Sequence, residues 1–233
     1  MLLKQLDIEE ILNAENVEIK RDSRGASFDY CYNFFNKDKS TQDIEKSCLI
    51  LWYYLSSWGM LRNSFLLYRS SKHLEKLIYY INNASVELRK IDVDKYDQSN
   101  IDILIEGYRK IEESIQFYEK KPSITLVTKI MLGVFGNVPA FDINFVSGFS
   151  KIFSSYKITC GFTSFNKKSL NCIKEFYDDN SEAIINCSEN SITYEFESGI
   201  RSGINYPKAK IIDTYGFKIG EAELKRKVAL IIQ

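Results

Sequence analysis

Two residues stand out for the chemistry they would do together. Lys129 lies in the middle of the apolar run 124–132, and Asp142 follows it across a turn built on Gly133, Gly136 and Pro139. An ammonium inside an apolar helix is costly to bury unless it meets a partner. An aspartate at the start of a helix is kept ionised by the free backbone N–H groups. In a cleft such a carboxylate acts as a base or stabilises a developing cation. Away from one it is a plain N-cap, a position for which Asp is among the best residues.

Two further segments are as specified as this one. Residues 56–62 place Ser56, Ser57, Trp58 and Gly59 inside an apolar helix and end on Arg62. Polar atoms there need partners or a cleft; the other reading is a close helix crossing at Gly59 with Trp58 in the core. Residues 205–217 set Asp213 and Tyr215 in an apolar helix behind Tyr206, Lys208 and Lys210. Tyr206 or Tyr215 would stack on a base, or the segment is a docking helix with half-buried tyrosines. The expected site is therefore Asp142 and Lys129 as the catalytic pair, with Trp58, Arg62, Tyr206 and Asn144 as substrate contacts.

Common catalytic patterns are absent: no P-loop, GxGxxG, GxSxG or HExxH occurs. The one histidine, His73, sits in the polar run 70–75 and reads as a solvated helix residue. It leaves a Ser-His-Asp triad without a base. Cys31, Cys48, Cys160, Cys172 and Cys187 form no CxxC and number five. Odd, scattered cysteines and no leader-like segment point to reduced thiols in a cytoplasmic protein, with no metal and no cofactor.

These residues must be positioned by helices. Apolar spacing of three and four predicts helices over 2–14, 27–35 and 71–82. A central helix is expected over 41–68, bent at Gly59, with 48–55 buried. Residues 86–100 read as loop. The clearest amphipathic helix carries Ile101, Leu104, Ile105, Tyr108, Ile111 and Ile115, capped by Ser99 or Asn100. Pro122 opens the helix of Lys129, and another runs from about 140 to 154. Beyond it, 167–177 is helical, 191–196 a short strand or a helix end, and 198–205 loop. Pro207 opens a helix, and 221–232 is helix or edge strand. The fold class is mainly α: one helical, bundle-like domain over 1–233, with sub-lobes 1–119 and 120–233 and one or two short strands near the C-terminus.

The 31 basic and 31 acidic residues cancel, which argues against a strongly basic nucleic-acid binder. Residues 1–119 hold 16 Lys/Arg against 20 Asp/Glu and residues 120–233 hold 15 against 11, so the halves carry −4 and +4. That dipole would steer a polyanion to the second half. No apolar run approaches the roughly 20 residues of a membrane span.

The stretch 134–145, a helix end, a glycine turn, a short apolar run, Asp142 and a new helix, resembles the helix-hairpin-helix DNA glycosylase superfamily. The resemblance implies that Asp142 activates water or stabilises the oxocarbenium-like sugar as a base leaves, with DNA or a nucleoside as partner. The sequence departs from that family where residues 119–125 lack the hairpin glycines. Ile124 stands near the family's lysine position, Ile143 and Asn144 follow the aspartate, and no four-cysteine cluster closes the chain. The resemblance thus implies a divergent, lysine-less N-glycosidic-bond hydrolase. The alternative is a non-enzymatic helical protein–protein interaction module, in which the same segments only pack the core.

Overall fold

The structure, a computed structural model, describes residues 22–37, 43–62, 64–84, 86–154 and 159–232; the helix expected over 2–14 lies outside them. Its α-helices are α1 (Ala26–Asn36), α2 (Ile44–Ser57), α3 (Glu75–Asn83), α4 (Val86–Lys90), α5 (Gln98–Ile115), α6 (Ile124–Phe135), α7 (Ile143–Phe153), α8 (Lys167–Asp179), α9 (Ser181–Asn190) and α10 (Lys208–Ile232). Strands β1 (Ile192–Tyr194) and β2 (Arg201–Asn205) form an antiparallel pair. The mainly α fold with short strands near the C-terminus is as the sequence predicts.

Short polar side chains start most of these helices by accepting the otherwise unpaired N–H groups of the first turn. Asp43 caps α2, Asp97 caps α5, Ser123 caps α6 and Asp142 caps α7, while Asn166 and Ser169 make a reciprocal capping box on α8. The α5 cap is Asp97, two or three residues before the expected Ser99 or Asn100. Asp92 reaches across the sequence to accept the N–H groups of Lys208 and Ala209 and so starts α10.

The central helix is α6, in which every residue from Leu126 to Phe135 is buried. The expected long helix over 41–68 stops at Ser57. Gly59 takes a left-handed φ of 74°, Arg62 N–H closes a turn on the Gly59 carbonyl, and a 3-10 turn follows at Phe65–Tyr68. The expectation of a buried run over 48–55 also fails in part, because Leu49 and Tyr53 are exposed. Gly136, left-handed at φ 65°, closes α6.

Helices α7 and α10 cross in close contact through Gly148, Gly216 and Gly220. A methyl on Gly148 would sit 2.6 Å from the Gly216 carbonyl oxygen, and one on Gly220 only 1.7 Å from that of Asn144. Behind this crossing Phe141, Phe145, Phe149 and Phe153 stack in sequence, and Phe162 from the following loop packs edge-on against all four.

Several expectations differ from the structure. Residues 201–205 are strand where loop was expected, and Ser181–Asn190 is a helix that apolar spacing did not signal. The segment 86–100 holds α4 and a 3-10 turn, and 221–232 simply continues α10. The strand pair is anchored on α1. Asn33 bonds both the Thr193 hydroxyl and the Tyr194 carbonyl, and Asp29 accepts the Tyr194 N–H. His73 is half-buried and not freely solvated: its Nε2 lies 3.0 Å from the Ile115 carbonyl, and its ring contacts Phe65 and Phe117.

Candidate functional site

Lys129 projects from the buried face of α6 onto Asp142 at the head of α7, with Nζ 2.8 Å from Oδ2. The other carboxylate oxygen, Oδ1, accepts the N–H groups of Asn144 and Phe145. One carboxylate therefore both caps a helix and neutralises a lysine that is 2% exposed. A second pair lies beside the first. On α10, Lys210 Nζ is 3.0 Å from Asp213 Oδ2, and Asp213 Oδ1 accepts the Ala140 N–H at 3.0 Å. Burial pushes the Asp213 carboxyl up, but Lys210, Lys129 and the hydrogen bonds outweigh it and hold the group below its usual range. The two pairs pin the segment from Ala140 to Asp142 from both sides.

Trp58, just beyond the end of α2, covers this centre. Its ring lies 4.5 Å from Lys129 Nζ, 5.5 Å from Lys210 Nζ and 4.7 Å from the Arg24 guanidinium carbon. Cations over an indole face are attracted by its quadrupole, most strongly when desolvated. The buried Trp58 Nε1 has no hydrogen-bond partner among the described residues. Of the expected site residues, Asp142, Lys129 and Trp58 are thus together. Asn144 sits next to them, with its N–H on Asp142 and its carbonyl against Gly220.

Tyr206 is one layer removed: its hydroxyl donates to Asp29 at 2.7 Å, and its ring meets the edge of Phe28, which itself lies under Lys210. Tyr215 packs against Phe176 and is buried, so the stacking role weighed for it does not fit. Sequence reasoning missed Asp29 as part of this layer. Desolvation pushes its carboxyl up to about 6, against the pull of Tyr206, the Tyr194 N–H and Lys210. Nothing in the spacing of α1 marks it. Lys210 and Asp213 carried a signal, a charged pair one turn apart in an apolar helix.

Arg62 is not at the ion pairs. It lines a neighbouring cleft of about 760 Å³. One wall is the turn after α2, with Gly59, Met60 and Arg62, continued by Phe65, Tyr68 and Arg69. The other is the tight hairpin between α5 and α6, closed by a Phe117–Lys120 bridge, with Lys121, Ser123 and Leu126 beyond it. Among the described residues four cationic and three aromatic side chains line it, and no carboxylate does. The cleft and the ion-paired centre share structure. Leu126 lines the cleft and Lys129 lies one turn deeper on α6, while Gly59 lines it and Trp58, one residue earlier, covers Lys129.

No family model matches the chain, and no curated protein and no solved structure matches it. Among the described residues no group of His, Cys, Asp and Glu is placed to hold a metal ion, and no helix is long and apolar enough to cross a membrane.

Proposed function

We propose that the protein acts on nucleic acid, with the cationic cleft as its seat. The ion-paired Asp142 behind the cleft wall is the candidate for hydrolysing an N-glycosidic bond, in the manner of a divergent, lysine-less glycosylase. The observation that carries this reading is the adjacency of a cationic cleft to the buried Lys129–Asp142 pair, whose lysine lies one helical turn from the cleft-lining Leu126. As the bond from sugar to base breaks, its electron pair leaves with the base and positive charge builds on the sugar. A fixed carboxylate in a water-poor site stabilises that charge strongly. Water then adds to the sugar carbon, and its proton ends on the base. Lys129 is a positioning residue in this scheme, because it fixes the direction of Asp142 Oδ2. Trp58 covers Lys129, so a base arriving from the cleft must displace the indole.

The test is base release from DNA carrying deaminated or alkylated bases, comparing the native protein with Asp142→Asn. Release by the native protein and at least a hundredfold loss in the variant are expected. Absence of release across the substrate panel, from protein that binds the same DNA, would remove the chemical step. One observation favours the second reading, a non-enzymatic interaction module: both oxygens of Asp142 are already satisfied within the fold. Asp142→Asn would then alter stability and nothing else.

A further inference from the structure

The geometry points to an unpaired strand as the ligand of the cleft: we infer that it holds one or two nucleotides of single-stranded nucleic acid, bases against its aromatic rings and phosphates on its cations. This rests on the reading that the protein acts on nucleic acid, and it goes beyond it in naming which form is held.

Three observations lead there. The cations are gathered rather than spread: Arg62 and Arg69 face Lys120 and Lys121 across one recess. Among the described residues only Lys121 of the four has an ion-pair carboxylate, Glu112 at 3.8 Å. A recess of about 760 Å³ falls in the range of about 300–1,000 Å³ that encloses one small ligand, which suits one or two nucleotides.

Of the aromatic residues lining the cleft Tyr68 is presented to solvent, while Phe65 and Phe117 are half-buried. Tyr68 is 82% exposed, and Tyr118, at the tip of the hairpin, is 83% exposed. Tyr118 is also held at φ 50°, a left-handed conformation that costs a non-glycine residue of order 1 kcal/mol. Its ring packs edge-on against that of Phe117, which lines the cleft, and stays exposed at the hairpin tip. Unpaired bases stack on such rings whatever their identity, whereas bases inside a duplex have no free face to offer.

Finally, the Arg69 guanidinium lies 3.5 Å from the centre of the Phe117 ring, which stacks in turn near Phe65. A guanidinium stacked by its face keeps its edge N–H groups for a phosphate. Cation and ring are thus interleaved, as a strand alternating phosphate and base requires.

The experiment is fluorescence anisotropy of labelled oligothymidylate and of a duplex of equal length, with polyglutamate as a competitor. Single-strand binding at least tenfold tighter than duplex binding is expected. Two neutralised phosphates at about −0.7 each give a log–log salt slope near −1.4, a loss of roughly sevenfold between about 50 and 200 mM salt. Lys120→Glu with Lys121→Glu should abolish binding, Tyr68→Ala and Phe117→Ala should each weaken it about tenfold, and Lys174→Ala on α8 should leave it unchanged. Exposed Lys120, Lys121 and Tyr68 can be replaced without unfolding the chain, which melting curves would verify. Equal or tighter duplex binding, or cleft variants that bind like the native protein, would overturn the inference. Displacement of the strand by polyglutamate at equal charge would do the same and point to an acidic protein partner. Base release from duplex DNA without strand preference would sink this inference alone; strand binding without base release would sink only the chemical step.

Discussion

At the scale of single residues, the buried charges decide what the protein tolerates. Asp29 is the clearest case, because its carboxyl titrates near 6 in the folded chain against 3.8 as its ordinary value. The folded state holds the proton more tightly, so this group adds stability below pH 4 and loses it as pH rises through 6. A shift of about two units corresponds to a cost of about 3 kcal/mol at neutral pH. Asp29→Asn, which can still accept the Tyr194 N–H and donate to Tyr206, should flatten the stability curve between pH 4 and 6. Urea melts at several pH values would reveal this, and parallel curves for the two proteins would refute it. The Lys129–Asp142 pair behaves differently. Removing one partner strands a buried charge, typically at about 3–5 kcal/mol. The costs of Lys129→Met and Asp142→Asn should therefore sum to more than the cost of the double variant, by about 1 kcal/mol or more in a thermodynamic cycle. Additive losses would mean the pair is not coupled. Lys129 and Asp142 were legible in the sequence because an apolar run makes a lone charge conspicuous. Asp29 was not, since α1 mixes polar and aromatic residues evenly and its partners come from strands far along the chain.

At the scale of elements, caps and glycines set where helices stop and how near they come. Gly220 faces the Asn144 carbonyl at a distance no methyl survives. Gly220→Ala should push α10 off α7 and cost about 3 kcal/mol, at the upper end of ordinary overpacking. Gly203→Ala is the comparison, since its virtual methyl meets nothing within 4 Å and only its φ of 82° resists; its cost should be smaller, about 1 kcal/mol. Thermal melts of the two variants decide between contact and conformation. The amphipathic helices α3 and α5 were readable from apolar spacing, as was the strong stop after α6. Three things were not. Helix α9 packs against its neighbours on a narrow face, with Ile184 and Cys187 as its buried apolar residues. Strand β2 carries Gly203 and alternates only between exposed and half-buried, so its order comes from β1 and not from its own side chains. Helix α2 ends at Ser57 because the Ser56 and Ser57 hydroxyls both bond back to the Tyr53 carbonyl and Gly59 turns left-handed. Apolar residues running on through Leu61 hid that end.

At the scale of the whole molecule, the balance of 31 cations and 31 anions conceals a local imbalance. The four cations of the cleft come from both halves of the chain, Arg62 and Arg69 from the acidic first half and Lys120 and Lys121 from the basic second. Sequence totals argue against a polyanion partner, yet folding gathers these side chains where, among the described residues, no carboxylate lines the recess. The same folding separates residues that the sequence grouped. Arg62 faces the cleft while Trp58, one turn of chain earlier, covers the ion pairs, so the expected site divides into a seat and a buried centre. The glycine-free hairpin is where Lys120, Lys121 and the exposed Tyr118 are presented.

Photocrosslinking of a bromouracil-substituted single strand to the native protein, read by peptide mass spectrometry, tests the central claim most directly. Crosslinks concentrated in residues 59–69 and 117–126, with Tyr68, Phe117 and Tyr118 foremost, are the predicted result. Crosslinks confined to other segments, or none at low salt, would contradict it.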